Sequence, residues 1–450
     1  MEKSFGKRSW YILLLFGLIG QIAWSVENMF FNVFLYENVK DYISNALNAV
    51  TLMVQLSGIT ATLVTLIAGT LSDKLGNRRS FLSWGYIIWG VTVALFGFLS
   101  PQNVGKLFGM ELETVVPLTV ILVIAADCIM TLFGSTANDA AFNAWVTDNT
   151  EKEYRGKVEG ILSVLPLIAM LIVAGGFGIL KDLMGYQNLF LVLGVLISIC
   201  GIVGKCFVKD SPTLVKSGEF KDIFYGFKPS VVKKHLPLYV TLLIVGIYGI
   251  ACQIFMPYLI IYMMEYLHFQ EMEYSIVFAL AILLGAALNV YLTRLSDRLD
   301  KVKMLYFAAG IFAAGLLGMY FAKDMSHLAN MVVFGFFGFV MISGNILVSA
   351  LTGSTVRDYT PEGAAGKLQG VRMIFSVLIP MVLGPMIGNA INVARNLGAA
   401  SEGAVLTTSV IPAPEIFLAA SVCSLMMFAI IPLLQKVVKK GVNYASENEI

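Results

Sequence analysis

The chain is a succession of apolar runs, each long enough to cross a lipid bilayer. A hydrocarbon core about 30 Å thick needs about 20 mostly apolar residues in a helix rising about 1.5 Å per residue. Twelve such runs can be read, at 9–36, 46–71, 80–100, 115–146, 158–180, 188–207, 237–264, 275–293, 304–322, 329–355, 371–392 and 414–435. They are long and show no sustained alternation, so helices are expected rather than barrel strands. Charged residues make up 13% of the chain and apolar ones 58%, against about 25% and 45–50% in soluble domains. Those figures exclude a water-soluble chain and a disordered one. The first run is far longer than a signal-peptide core and lacks a small-residue cleavage site, so an uncleaved first span is expected.

Lysine and arginine in the loops set the expected orientation. With the N-terminus in the cytoplasm, 26 of the 31 basic residues fall on the cytoplasmic side and 5 (Lys40, Lys106, Lys181, Lys323 and Arg395) on the outer side. Both termini are therefore expected in the cytoplasm of a multi-pass protein of the cell membrane. The longest inner segment, 208–236, divides the spans six and six. The expected organisation is a first bundle over 1–207, a cytoplasmic linker over 208–236 and a second bundle over 237–450. The polar outer loop 393–413 reads as a flexible connector. The net charge of +2 argues neither for nor against nucleic acid, and no such partner is expected; the five cysteines are scattered without a CxxC or a nearby histidine, so no metal site or disulfide framework is expected.

The two halves repeat. Leu71-Ser72-Asp73-Lys74-Leu75 after span 2 returns as Leu295-Ser296-Asp297-Arg298-Leu299 after span 8, an offset of 224. Val146-x-Asp148-x-Thr150 followed by Gly156-Lys157-x-x-Gly160 returns as Val356-x-Asp358-x-Thr360 followed by Gly366-Lys367-x-x-Gly370, an offset of 210. Gly20 and Glu27 in span 1 match Gly246 and Gln253 in span 7, an offset of 226. The matching loops lie on one side, so these are parallel repeats of a six-span unit.

The stretch Gly69-x-Leu71-Ser72-Asp73-Lys74-x-Gly76-Asn77-Arg78-Arg79 resembles the loop 2–3 motif of the major facilitators and departs from it at Asn77. Its second copy has Thr293 and Asp300 where the motif has glycine. The Asp-x-Thr…Gly-Lys-x-x-Gly stretch resembles the glycoside–pentoside–hexuronide cation symporters. Gln21-Ile-Ala-Trp24-Ser-Val-Glu27-Asn28 is similar to the first helix of the related sucrose-type carriers. The resemblance implies an all-α membrane protein of the major facilitator fold, with twelve transmembrane helices in two six-helix parallel repeats. Melibiose-type members carry acidic cation ligands in span 2, and span 2 here has none, which moves coupling to spans 1 and 4.

A charge at the bilayer centre costs at least about 2.5–3.5 kcal/mol, so an ionisable residue there is a functional candidate. Glu27 and Asp127 lie deep, at similar depth. Asp139 lies about 18 Å further along span 4. With no internal cation to pair with, each carboxylate would be desolvated, which suits a proton carrier; the alternative is a protonated acid bridging helices. Gln21, Trp24, Asn28 and Asn32 recur at helical steps around Glu27. An aromatic plate beside amides suits a sugar, whose C–H face stacks and whose hydroxyls need paired partners. Tyr248, Gln253, Tyr258 and Tyr262 in span 7 and Asn345 in span 10 are candidates for the opposite wall, with packing as the alternative for the tyrosines. Asn138 and Asn143 are expected to make interhelical hydrogen bonds. Asp73, Arg78, Asp148, Arg155, Asp297, Arg298 and Asp358, joined by Arg372, are expected to form a clamp between neighbouring helix ends. Gly175, Gly176 and Gly178 are expected to let span 5 approach a neighbour closely.

The expected function is a monomeric secondary transporter moving a sugar or glycoside by alternating access, coupled to protons, with sodium open and no other cofactor. An exporter of drugs or other small organics and a membrane solute sensor are the rivals. The exporter's Gly-Pro pattern is missing from span 5. No span holds a catalytic dyad, so an enzyme is not expected.

Overall fold

A computed structural model describes residues 6–447 apart from 151–153, 212, 213, 215, 217–219, 297–299, 361–364 and 402–408. The regular structure of the described residues is all helical, with no strand. Among the described residues, eleven helices are long and apolar enough to cross a membrane: Lys7–Val39, Ala46–Leu75, Arg78–Phe96, Leu112–Asn149, Gly160–Phe207, Leu236–Tyr266, Glu271–Leu292, Lys301–Phe321, His327–Tyr359, Leu368–Leu397 and Glu415–Lys439. The fifth carries two of the twelve expected spans. It belongs to a continuous run, Arg155–Phe207, of 53 residues, which would reach about 80 Å if straight. Gly185, at φ 74° and ψ 165°, breaks it. That backbone conformation is open to glycine and costly for any other residue, so a single glycine turns one run into spans 5 and 6.

The chain forms two compact units: Met1–Phe220 with Ala399–Val410, and Lys221–Gly398 with Ile411–Ile450. In the first, spans 3 and 6 pack backbone to backbone. A Cβ on Gly90 would stand 2.3 Å from the Gly194 carbonyl oxygen, and one on Gly201 would stand 2.6 Å from the amide nitrogen of Ile87. In the second, Gly315 and Gly344 bring spans 9 and 10 together in the same way. Small residues supply such contacts in membranes because no solvent drives helices together there. At Gly176 of span 5 no close approach is made: a Cβ there would meet nothing within 4 Å.

The outer loop also differs from the flexible connector expected over 393–413. The helix of span 11 continues to Ser401. Beyond the undescribed stretch, Asn396 exchanges hydrogen bonds with Ile411 and Asn392 accepts from the Ala413 amide. Ser409 Oγ accepts from the Ala46 amide at 3.1 Å, and Val410 N donates to the Ser44 carbonyl at 3.0 Å. Buried backbone groups must find partners, and here asparagine and serine side chains provide them.

Both ends of the 208–236 segment are fastened. At its start, Arg8 donates to the Phe207 carbonyl, Arg79 to the Lys205 carbonyl and Trp145 Nε1 to the Lys209 carbonyl. At its end, Tyr239 donates to the Gly226 carbonyl, and Val231 packs with Leu238, Leu242, Val356, Leu368 and Val371 in the second unit.

Candidate transport site

Two irregular turns build the polar interior of the first unit. Span 1 is α-helical to Val26, widens into a π turn over Glu27–Phe31 and resumes at Asn32. Span 4 is α-helical over Leu112–Gly134 and widens over Ser135–Phe142. Such turns leave i−4 carbonyls without their usual amides and recur at functional sites. In span 1, side chains answer those carbonyls. Asn28 Nδ2 donates to the Trp24 carbonyl at 2.7 Å and Asn32 Nδ2 to the Asn28 carbonyl at 2.8 Å.

The widened turn re-aims the residues around it. Glu27 is buried, Asn28 exposed and Asn32 buried. Asn28 stays beside Trp24, to whose carbonyl it donates, whereas Asn32, beyond the widened turn, is carried into the interior. The reason is the extra residue in the turn, which rotates everything beyond it. Gln21 and Trp24 stay half-buried.

Glu27 points into a group of hydroxyls. Its Oε1 accepts from Ser57 Oγ at 2.8 Å and from Thr131 Oγ1 at 3.1 Å, and the two hydroxyls lie 2.8 Å apart. Asp127, one turn before Thr131 on span 4, faces the same Ser57 hydroxyl. Three spans thus join two carboxyls through two hydroxyls. Glu27 Oε2 and Asp127 Oδ1 are buried and have no hydrogen-bond partner. No ion pair among the described residues involves either acid, and Lys40 is the lone basic residue between Arg8 and Lys74. Buried polar groups are ordinarily satisfied, so these two unpartnered oxygens set this cluster apart.

Trp24 lies on Trp89, with ring centroids 5.0 Å apart, and a Cβ on Gly134 would come within 2.9 Å of its edge. One face of the indole is thus taken by packing. Its N–H points toward Asp139 without reaching hydrogen-bond geometry. Asn138 does bridge helices as expected, donating to Tyr86 Oη at 2.6 Å, while Tyr86 donates to the Phe16 carbonyl at 2.8 Å. Asn143 instead donates to carbonyls of its own helix.

In the second unit the candidates separate into two sets. Tyr248 donates to Asn345 Oδ1, which brings spans 7 and 10 together at half-buried positions. Gln253 is half-buried beside Gly384, where a Cβ would stand 2.4 Å from its own. Tyr258 is fully buried and donates to the Pro385 carbonyl at 2.8 Å. Tyr262 is fully buried among Tyr266, Phe334 and Phe417. These last two tyrosines are packing residues of the bundle, the alternative left open for them by the sequence.

The clamp is present in the first unit. Gly76, at φ 62°, ends the span 2 helix, and Asn77 caps the next by accepting from the Ser80 amide. That geometry folds Arg78 back, where it donates to Ser72, to Asp73 and, at 3.0 Å, to Asp148. Sequence reasoning missed Asp210, whose Oδ1 accepts from the Arg78 and Arg79 amides at 3.0 and 2.8 Å. In the second unit, Asp358 pairs with Lys301 at 2.7 Å. Asp297 and Arg298 lie outside the described residues, as does the side chain of Arg155.

A sequence profile of the Major Facilitator Superfamily matches residues 7–385. The chain belongs to that family and is a membrane transporter, not an enzyme. No curated protein matches it by sequence. Solved structures share the fold over nearly the whole chain. A bacterial homologue of the human lysosomal transporter Spinster, inward-facing and occupied, aligns with a TM-score of 0.67 at 14% identity, covering 96% of this chain and 97% of that one. An auto-inhibited POT family peptide transporter gives 0.66 at 11%, covering 95% and 96%. The nucleoside transporter NupG gives 0.62 at 11%, covering 95% and 98%. At these identities the likeness shows the fold alone.

Proposed function

We propose that the chain is a proton-coupled importer of a sugar or glycoside across the cytoplasmic membrane, working by alternating access. The observation that carries the coupling is the pair of buried acids, Glu27 and Asp127, linked by the Ser57 and Thr131 hydroxyls and free of any basic partner among the described residues. A neutral carboxyl is at home in such a site, and a charged one is not. A transporter whose acid must be neutral to move has a reason to carry a proton with its substrate. The substrate reading rests on the half-buried indole of Trp24, on Gln21 and Asn28 beside it, and on the Tyr248–Asn345 pair. Each unit by itself thus offers an aromatic face beside amide groups, the kind of surface that sugars require.

The test uses purified protein in liposomes. A thermal-shift screen of mono- and disaccharides first finds a ligand, since a ligand of the native state raises its stability. That sugar should then accumulate when the lumen is alkaline. Glu27→Gln keeps size and hydrogen bonding but carries no exchangeable charge, so it should exchange substrate at equilibrium and fail to accumulate it. Normal uphill uptake by Glu27→Gln would make Glu27 structural and pass the same test to Asp127. A second reading has the same four oxygen-bearing side chains hold sodium. Accumulation driven by a sodium gradient at equal pH would favour it over the proton.

A further inference from the structure

The linker's second half has two faces, and only one is used by the protein. Residues Phe220–Phe227 form a 3-10 helix and Pro229–Lys234 a short α-helix, and span 7 begins at Leu236. The inner face is seated on the second unit through the Tyr239–Gly226 hydrogen bond and the Val231 cluster. On the other face, Phe224 is 68% exposed and Phe227 45% exposed, with Lys228, Lys233 and Lys234 also open. Residues 221–236 hold four lysines against one aspartate, Asp222.

We propose that this face binds anionic lipid headgroups at the membrane surface. Its position fixes the depth. Span 7 starts two residues after Lys234, so the short helix lies where hydrocarbon gives way to headgroups. Aromatic rings beside flexible basic side chains match that zone: rings settle at the acyl boundary and ammonium groups reach lipid phosphates. Lysines next to a span are attracted to an anionic leaflet, by an amount that screening diminishes. An acidic protein partner would answer the lysines but leave Phe224 and Phe227 without an apolar counterpart at that depth.

The experiment places a fluorophore on a cysteine at position 224, in full-length protein with its five native cysteines replaced, and reconstitutes it with brominated lipid quenchers. Vesicles of phosphatidylcholine alone are compared with vesicles containing phosphatidylglycerol. Stronger quenching with phosphatidylglycerol, lost in Lys228→Gln/Lys233→Gln/Lys234→Gln, is the expected result. A label at Leu284, exposed near the middle of span 8, is quenched in both lipids and confirms that the variant is inserted. If the triple variant fails to insert, raising the salt on the unsubstituted lysines should remove the phosphatidylglycerol-dependent part. Equal quenching in both vesicles, or no effect of salt, overturns charge recognition. Absence of quenching in either vesicle shows a solvated face and overturns the proposal altogether.

Discussion

The two units are copies of one six-span plan, yet their interiors carry different chemistry. In the first, Glu27, Ser57, Asp127 and Thr131 come together across three spans. At the repeat offsets, the second copy has Gln253, Ala281, Phe337 and Met341. The loops diverge in the same sense. Arg78 is 6% exposed and held between Asp73 and Asp148, whereas the Lys301–Asp358 pair is half exposed on both sides. A backbone plan can thus be kept while its polar content is moved to one copy. What is retained in both is the order of spans and the use of glycine at close helix crossings; what is not retained is the pair of buried acids.

The largest effect should come from breaking that asymmetry at its centre. Glu27→Gln should abolish uphill accumulation while leaving exchange in place. Adding Gln253→Glu should not restore accumulation, because the mate position lacks the Ser57 and Thr131 hydroxyls that receive the acid. Accumulation ratios in liposomes for the single and double variants decide this. Recovery in the double variant would show that the acid's helix matters and its surroundings do not.

The clamp gives the next contrast. Removing one partner of a buried ion pair costs about 3–5 kcal/mol, and Arg78→Gln should fall at the lower end because its carboxylates keep some water. An exposed pair is worth at most about 1 kcal/mol, so Lys301→Gln should barely move the unfolding temperature. Substrate binding should change no more than a few-fold in either, since both sites lie at helix ends. Thermal unfolding in detergent compares the two directly. Equal shifts would show that the second copy's pair carries as much as the first.

Much of this architecture is legible in the sequence. Length and hydropathy are enough to mark helices in lipid, and an offset repeat in the loops is enough to pair the halves. The break at Gly185 is legible as the polar gap between the runs ending at 180 and starting at 188, but not that helix continues up to the glycine on both sides. The π turns at Glu27 and Ser135 leave no mark in composition, since each shifts hydrogen bonds by one residue without changing residue types. The turn at Glu27 is why Asn32 leaves the face on which a regular helical wheel places it with Trp24. Asp210 escaped because its partners are more than a hundred residues away. Its one signal is an acid directly after span 6 in a segment otherwise rich in lysine.

Gly20 and Gly246 are repeat mates and make a smaller, cleaner contrast. A Cβ on Gly20 would stand 1.9 Å from Asn138 Nδ2 and 2.6 Å from the Tyr86 hydroxyl. Gly20→Ala must therefore displace the Asn138–Tyr86 hydrogen bond, and overpacking of this kind costs about 1–3 kcal/mol. On Gly246 the nearest atom is Phe375 Cδ1 at 3.3 Å, a ring edge that can shift. There the helix preference of alanine over glycine, up to about 1 kcal/mol, should offset the crowding. Unfolding temperatures should fall for Gly20→Ala and stay level for Gly246→Ala.

The smallest contrast concerns how the two copies cap corresponding helices. The helix of span 9 is capped by the residue before it: Asp300 Oδ1 accepts from the Val302 and Lys303 amides at 2.8 and 3.4 Å. In span 3 the residue before the helix, Asn77, takes the Ser80 amide, and the first two amides go to Asp210 from the linker. Loss of a capping side chain costs about 0.5–2 kcal/mol, so Asp210→Ala and Asp300→Ala should lower stability by similar amounts. Their other consequences should differ. Asp300 caps a helix that it adjoins, and its loss frays one turn. Asp210 also holds the start of the linker against the first unit, so its loss should expose residues 208–216 to protease, with cleavage there several-fold faster than in Asp300→Ala. Asp210→Asn keeps an acceptor oxygen and should protect most of that segment. Equal cleavage of the two alanine variants would show that Arg8 and Trp145, which hold the Phe207 and Lys209 carbonyls, fasten the linker without help from Asp210.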